Sequence, residues 1–135
     1  MAVQLKREEG AAAVEFALVL PLLLMILFGI IEFGLVLFRQ EVITNASREG
    51  ARFGILIGDP RPTPAQIEAV VTTYLTNAGL DAGNATVSVT GAQGASGSDL
   101  TVSVLYPYDF LVLPKFALGL SDTLNLSATT VMKME

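Results

Sequence analysis

The sequence predicts an α+β protein: a long N-terminal membrane-spanning helix that continues into a small head, the head holding a second helix and a three-stranded antiparallel sheet. Three observations carry this. No residue from Phe16 to Ile31 is charged. Helical periodicity runs on past that apolar stretch, with Val42, Ala46, Gly50, Phe53 and Ile57 recurring at helical spacing. After a proline-rich break the period falls to two in three separate segments.

The apolar segment comes first. A helix from Ala11 to Ile31 would be roughly 30 Å long at ~1.5 Å per residue, about the thickness of a bilayer's hydrocarbon core. With the partly apolar continuation to Phe38, the span covers about residues 11–38 and the helix about 11–57. A secretory signal is the competing reading of this segment. Its apolar region would be shorter, ~7–15 residues, and would close on a small-x-small site, whereas this run leads into Glu32-Phe33-Gly34-Leu35 and Arg39. Pro21 cannot donate to the carbonyl of Ala17, so a kink or local loosening is expected at residues 17–21. Such a kink would let the helix bend when packed in an assembly, or it is simply the proline that membrane helices tolerate.

Two acids interrupt the greasy helix. Glu15 stands where a carboxylate costs on the order of 2.5–3.5 kcal/mol on insertion scales, so it needs a partner or a function. Glu32 is seventeen residues further on and points to a different face, which argues against shared chemistry. It is expected to mark the outer interface; pairing with Arg39, two turns on and near the same face, through water or a neighbouring chain is the other reading. Glu41, Asn45, Arg48, Glu49 and Arg52 supply a polar surface beyond the membrane. Arg48 and Arg52 fall on one face, where like charges need acids to answer them.

Gly58-Asp59-Pro60-Arg61-Pro62-Thr63-Pro64 cannot continue a helix and reads as a stiff connector. Thr63 then caps a second helix with Pro64 in its first turn and Ile67, Val70, Val71, Tyr74 and Leu75 on its apolar side, ended by Gly79. Alternation over Ala85–Thr90, Leu100–Tyr106 and Leu124–Thr129 predicts three strands with one apolar face against the helices. GAQGASGS (residues 91–98) reads as a flexible link between the first two strands. Tyr106 to Phe116, YPYDFLVLPKF, reads as a connector that closes the core, with a subunit contact or docking on the membrane surface as the other readings.

Composition narrows the chemistry. At 135 residues there is room for one membrane helix and one small domain. No cysteine and no histidine occur, which removes disulfides, thiolate zinc sites and imidazole-based triads. A formal charge of −5 offers no broad basic surface for nucleic acid, and GAQGASGS lacks the lysine and helix context of a phosphate loop. No catalytic, metal or cofactor site is expected; the aspartates sit at element ends, where turns use them.

The N-terminus carries a family resemblance. Lys6-Arg7-Glu8-Glu9-Gly10, followed by an apolar helix with Glu15-Phe16 after four further residues, resembles the class III signal of type IV pilins and pseudopilins. GAAAVEFALVLPLLLMILFGIIEFG together with ASREGARFG is similar to TadE-like pseudopilins of tight-adherence (Tad, type IVc) pilus systems, over roughly residues 5–57. The resemblance implies a leader of residues 1–10, a prepilin peptidase cutting between Gly10 and Ala11, and Glu15 and Phe16 as the processing and assembly motif. The new Ala11 ammonium would then lie about one turn from Glu15 and at the positive end of the helix dipole. Loss of residues 1–10 removes two basic and two acidic side chains and leaves the side-chain charge unchanged.

The same resemblance implies a cytoplasmic N-terminus, an extracytoplasmic head at the bacterial cell membrane, and incorporation into a pilus. Its implied partners are the peptidase, other pilin and pseudopilin subunits, the inner-membrane assembly platform and lipid. Glu32, Arg48, Glu49 and Arg52 become a candidate assembly surface; a solvated face bridged to the head is the plainer reading of the arginine pair. Because major pilins of this group have almost no head, and TadG-type proteins a far larger one, a minor subunit is implied. A permanently anchored extracytoplasmic binding domain is the alternative.

Overall fold

The computed structural model describes residues 2–113, 119 and 123–135. Helix α1 runs from Ala2 to Gly54, so the backbone of the charged leader is helical and continuous with the apolar segment. Its 53 residues span about 80 Å. Pro21 lies inside α1, which continues on both sides of it. The helix stops three residues before Ile57, and the amides of Ile55 and Leu56 turn back onto the carbonyls of Ala51 and Phe53. Ile57 is left 77% exposed.

Helix α2 spans Pro64–Asn77. The Thr63 hydroxyl accepts from the Gln66 amide while the Gln66 side chain accepts from the Thr63 amide, a reciprocal box that satisfies two orphan donors of the first turn. Ile67, Val71 and Leu75 are its buried stripe. Strands β1 (Thr86–Thr90), β2 (Asp99–Asp109) and β3 (Thr123–Lys133) form one antiparallel sheet in the order β1-β2-β3. The predicted α+β architecture is thus the observed one.

The differences lie in lengths. β2 runs to Asp109, three residues past the Tyr106 end expected, and β3 extends to Lys133 rather than Thr129. Pro107 sits within β2 opposite Asn125. β1 reaches β2 only as far as Leu105, so Pro107 lies where β2 has a neighbour on one side alone and a missing N–H is tolerated. The GAQGASGS link is tied down: the Gly97 amide donates to Met134, and Met134 donates back to Ser98.

The core lies between the sheet and the outer half of α1. Leu100, Val102, Val104, Tyr106 and Tyr108 on β2 and Leu126 and Ala128 on β3 face Val42, Ile43, Ala46 and Ala51 on α1, with α2 completing the layer. Close approach depends on Gly50 and Gly54. A methyl group at Gly50 would come 2.5 Å from Val71 Cγ2, and one at Gly54 would come 2.5 Å from Leu100 Cδ2. Two polar ties fix the register of sheet on helix. Gln40 Nε2 donates to the Ser127 carbonyl at 2.8 Å, and the fully buried Ser47 hydroxyl bonds Thr130 Oγ1 at 2.7 Å. β2 therefore runs back along α1, with Leu100 beside Gly54 and Tyr108 beside Glu32.

Candidate functional site

Among the described residues, the N-terminal half of α1 is left largely uncovered. From Glu8 to Ile31 its side chains are exposed, apart from half-covered positions at Leu20 and Gly29. By length and composition this one apolar helix is compatible with a single-pass membrane protein. The candidate processing residues Gly10 and Ala11, the motif residues Glu15 and Phe16, and Pro21 all lie on this bare stretch. The leader side chains Lys6 and Arg7 fall outside the described side chains. Nothing lies within 4 Å of where a side chain at Gly10 would begin. Glycine costs a helix interior about 1 kcal/mol relative to alanine, and at Gly10 no packing among the described residues requires it.

Glu32 is placed differently from the sequence expectation. It is 2% exposed and lies under the head, so it does not share a surface with Arg48, Glu49 and Arg52. One carboxylate oxygen accepts from the Tyr108 hydroxyl and from the Leu111 amide at 3.0 Å. The other accepts from the amides of Val112 at 2.6 Å and Leu113 at 2.9 Å. Three consecutive backbone N–H groups of the segment after β2 thus converge on one carboxylate of α1. Burying an ionisable group is costly unless its acceptors are filled, and here four donors fill them.

Arg39 joins this cluster indirectly. Its guanidinium lies 4.8 Å from the centre of the Tyr108 ring, a cation–π contact, while Phe110 meets the same ring edge-on at 5.8 Å. Burial, then the hydrogen bond and charge of Glu32, push the Tyr108 phenol up to about 12, with Arg39 opposing. The segment from Leu111 to Leu113 does not close the core as expected: Leu111 is 62% exposed and its two neighbours are half-buried. Pro114, Lys115 and Phe116, the rest of that predicted connector, lie outside the described residues.

Arg48, Glu49 and Arg52 are exposed on the side of α1 away from the sheet. Among the described residues no acid is within ion-pair distance of either arginine, so the bridged, purely structural reading of this pair finds no support there. Glu49 borders a shallow groove with Thr73, Tyr74 and Asn77 of α2.

The family comparison falls on the first of these regions. The family model described as TadE-like protein matches residues 10–52. Residues 10–52 are similar to the TadE-like family. The match is about a third of the chain; it begins at Gly10, takes in the span, and ends at Arg52 within the helix that carries the head. Searches of curated proteins and of solved structures returned no match. A TadE-like segment points to a protein associated with Tad pilus systems, and the family is structural rather than known for catalysis. The head's sheet and α2 lie beyond the match, which sets off the Glu32 clamp: its acid is inside the TadE-like segment and all four of its donors are outside it.

Proposed function

We propose that this chain is a minor, pilin-like structural subunit of a Tad-type pilus apparatus. It is inserted in the cytoplasmic membrane through α1 with its N-terminus inside, trimmed between Gly10 and Ala11 by a prepilin peptidase, and built into or beneath the pilus through the bare half of α1. The observation that carries the reading is Gly10 itself. A helix-disfavouring residue occupies a position where nothing among the described residues packs against it, five residues ahead of Glu15 and at the start of the TadE-like match. Recognition by a peptidase accounts for a glycine that folding does not require.

Trimming also supplies Glu15 with a cationic partner that it does not have among the described residues. An ammonium on Ala11 would stand one turn from the carboxylate, in the same subunit or facing that of a neighbour, at the positive end of the helix. The exposed Arg48, Glu49 and Arg52 serve as a second contact, with other subunits or with the assembly platform.

Intact-mass analysis of the membrane-inserted protein, with and without a prepilin peptidase, tests this. The expected product lacks residues 1–10; Gly10→Leu blocks its formation, and Glu15→Ala allows cutting but reduces cross-linking between subunits. An unchanged mass in the presence of active peptidase removes the processing claim. It would leave a permanently anchored protein.

A further inference from the structure

Where α1 enters the head, apolar side chains are left uncovered on both. Phe33, Leu37 and Phe38 of α1 are exposed, as are Leu111 and Leu124 of the head. Between them runs an open groove of about 310 Å³, with Gly29, Glu32, Phe33 and Val36 on one wall and Phe110, Leu113 and Leu124 on the other; Glu32 borders it with its carboxylate oxygens turned to the head's donors. We propose that this junction is seated in the bilayer, with Leu111–Leu113 and Leu124 in the lipid interface on the head's side and lipid acyl chain in the groove. The proposal rests on the reading of α1 as a membrane span.

Length favours lipid as the occupant. With Glu15 placed at the inner interface, the uncharged run Phe16–Ile31 is 16 residues, about 24 Å of helix, short of a hydrocarbon core of roughly 30 Å that the count from Ala11 reaches only by taking Glu15 inside it. Carried on to Phe38 the run becomes about 34 Å, and Glu32 is the sole charged residue in the added piece. That acid is enclosed: its oxygens accept from Tyr108 and from three amides of the head, and its side chain has almost no outward surface. Arg39 follows directly after Phe38 and marks the level at which charge resumes.

Backbone chemistry points the same way. Irregular backbone at membrane depth is tolerated only where its polar groups are satisfied. The Leu111, Val112 and Leu113 amides are satisfied by Glu32, and the side chains they carry are all apolar. The exposed Asp109, one residue before Phe110 and bonded to Thr123 Oγ1 at 3.0 Å, belongs at headgroup level. The uncovered surface is thus continuous with the lipid-facing surface of α1 rather than an isolated patch.

The chain contains no tryptophan, so single-tryptophan variants of the full chain are clean reporters. Leu111→Trp, Leu23→Trp and Val131→Trp would be reconstituted at low protein-to-lipid ratio in phosphatidylcholine vesicles carrying bromine at shallow or deep acyl positions. Val131 is exposed and lies one residue past Thr130, which bonds Ser47, about 22 Å further along α1 from Glu32. The Leu111→Trp variant is expected to emit at shorter wavelength than Val131→Trp and to lose intensity severalfold with shallow bromines. Leu23→Trp should respond most to deep bromines, and Val131→Trp to neither.

If Leu23→Trp is quenched while Leu111→Trp behaves like Val131→Trp, the seat is wrong and the span stands. A Leu23→Trp variant insensitive to bromine removes the span and the seat together. Blue-shifted emission from Leu111→Trp without quenching would mean that a second copy covers the junction, and would also overturn the proposal.

Discussion

Replacing Glu32 by glutamine keeps the side chain's size and removes one of its two acceptor positions. In the best arrangement the amide oxygen keeps the Val112 and Leu113 amides, and the amide nitrogen donates to the Tyr108 hydroxyl. The Leu111 N–H is then left facing a donor. An orphaned buried N–H costs about 1–3 kcal/mol, and two bonds passing from charge-assisted to neutral lose about 1 kcal/mol each. Cheaper desolvation of the neutral side chain offsets part of this. A net loss of about 2 kcal/mol corresponds to roughly 30-fold more frequent opening of the clamp. Glu32→Ala, which strands three amides and a hydroxyl, should open it further. Amide hydrogen exchange followed by mass spectrometry on the full chain in micelles reads this directly, in the peptide that contains Leu111–Leu113. Equal exchange there in wild type and both variants would refute the claim that Glu32 holds the segment.

Four further outcomes follow from other parts of the chain. Gly50→Ala should lower the melting temperature, by about 1–2 kcal/mol of stability once its helix-propensity gain is subtracted, because its methyl meets the stiff Val71; Gly34→Ala, with nothing within 4 Å, should be neutral or stabilising in the same melt. Thr63→Ala should cost about 1 kcal/mol through loss of the reciprocal cap, read as earlier thermal loss of helical circular dichroism. Tyr108 is raised above its ordinary value, so its contribution is fully present below pH 10 and is lost as pH rises through about 12; phenolate absorbance should show one of the three tyrosines ionising late, and Tyr108→Phe should abolish that late phase and flatten the alkaline fall in stability. Charge reversal at Arg48 and Arg52 should reduce cross-linking between subunits with little change in the melt; a large drop in melting temperature would show the pair to be structural instead.

Much of the fold is written in periodicity. Thr63-Pro64 followed by Ile67, Val71 and Leu75 is a helix start that depends only on neighbours in sequence, and it stands where the spacing puts it. The alternation in β2 gives the buried face correctly at Leu100, Val102, Val104 and Tyr106, because a sheet with one covered face imposes period two; on β3 it holds at Leu126 and Ala128 but not at Leu124, which is exposed. The ends were harder: Pro107 argues locally against a strand, and only the absence of a neighbour beyond Leu105 makes it harmless. The resemblance to the TadE-like family is likewise legible, since the match lies in one contiguous stretch, residues 10–52. Glu32 was not. Its partners are main-chain amides more than 75 residues away, and no side-chain pattern announces that a backbone will turn three N–H groups toward one acid. The hint available was a glutamate in an apolar run, with an arginine two turns on that meets Tyr108 rather than the acid.

The head is laid along α1 instead of hanging from its end, with glycine-close contact at Gly50 and Gly54 and the glutamate clamp at the other extremity. No proline interrupts α1 between Glu32 and Gly54. Rod and sheet therefore form one stiff lever. A twist or lift of α1 beyond Pro21 reaches the sheet without a proline joint to absorb it, so the orientation and height of the head follow those of the helix.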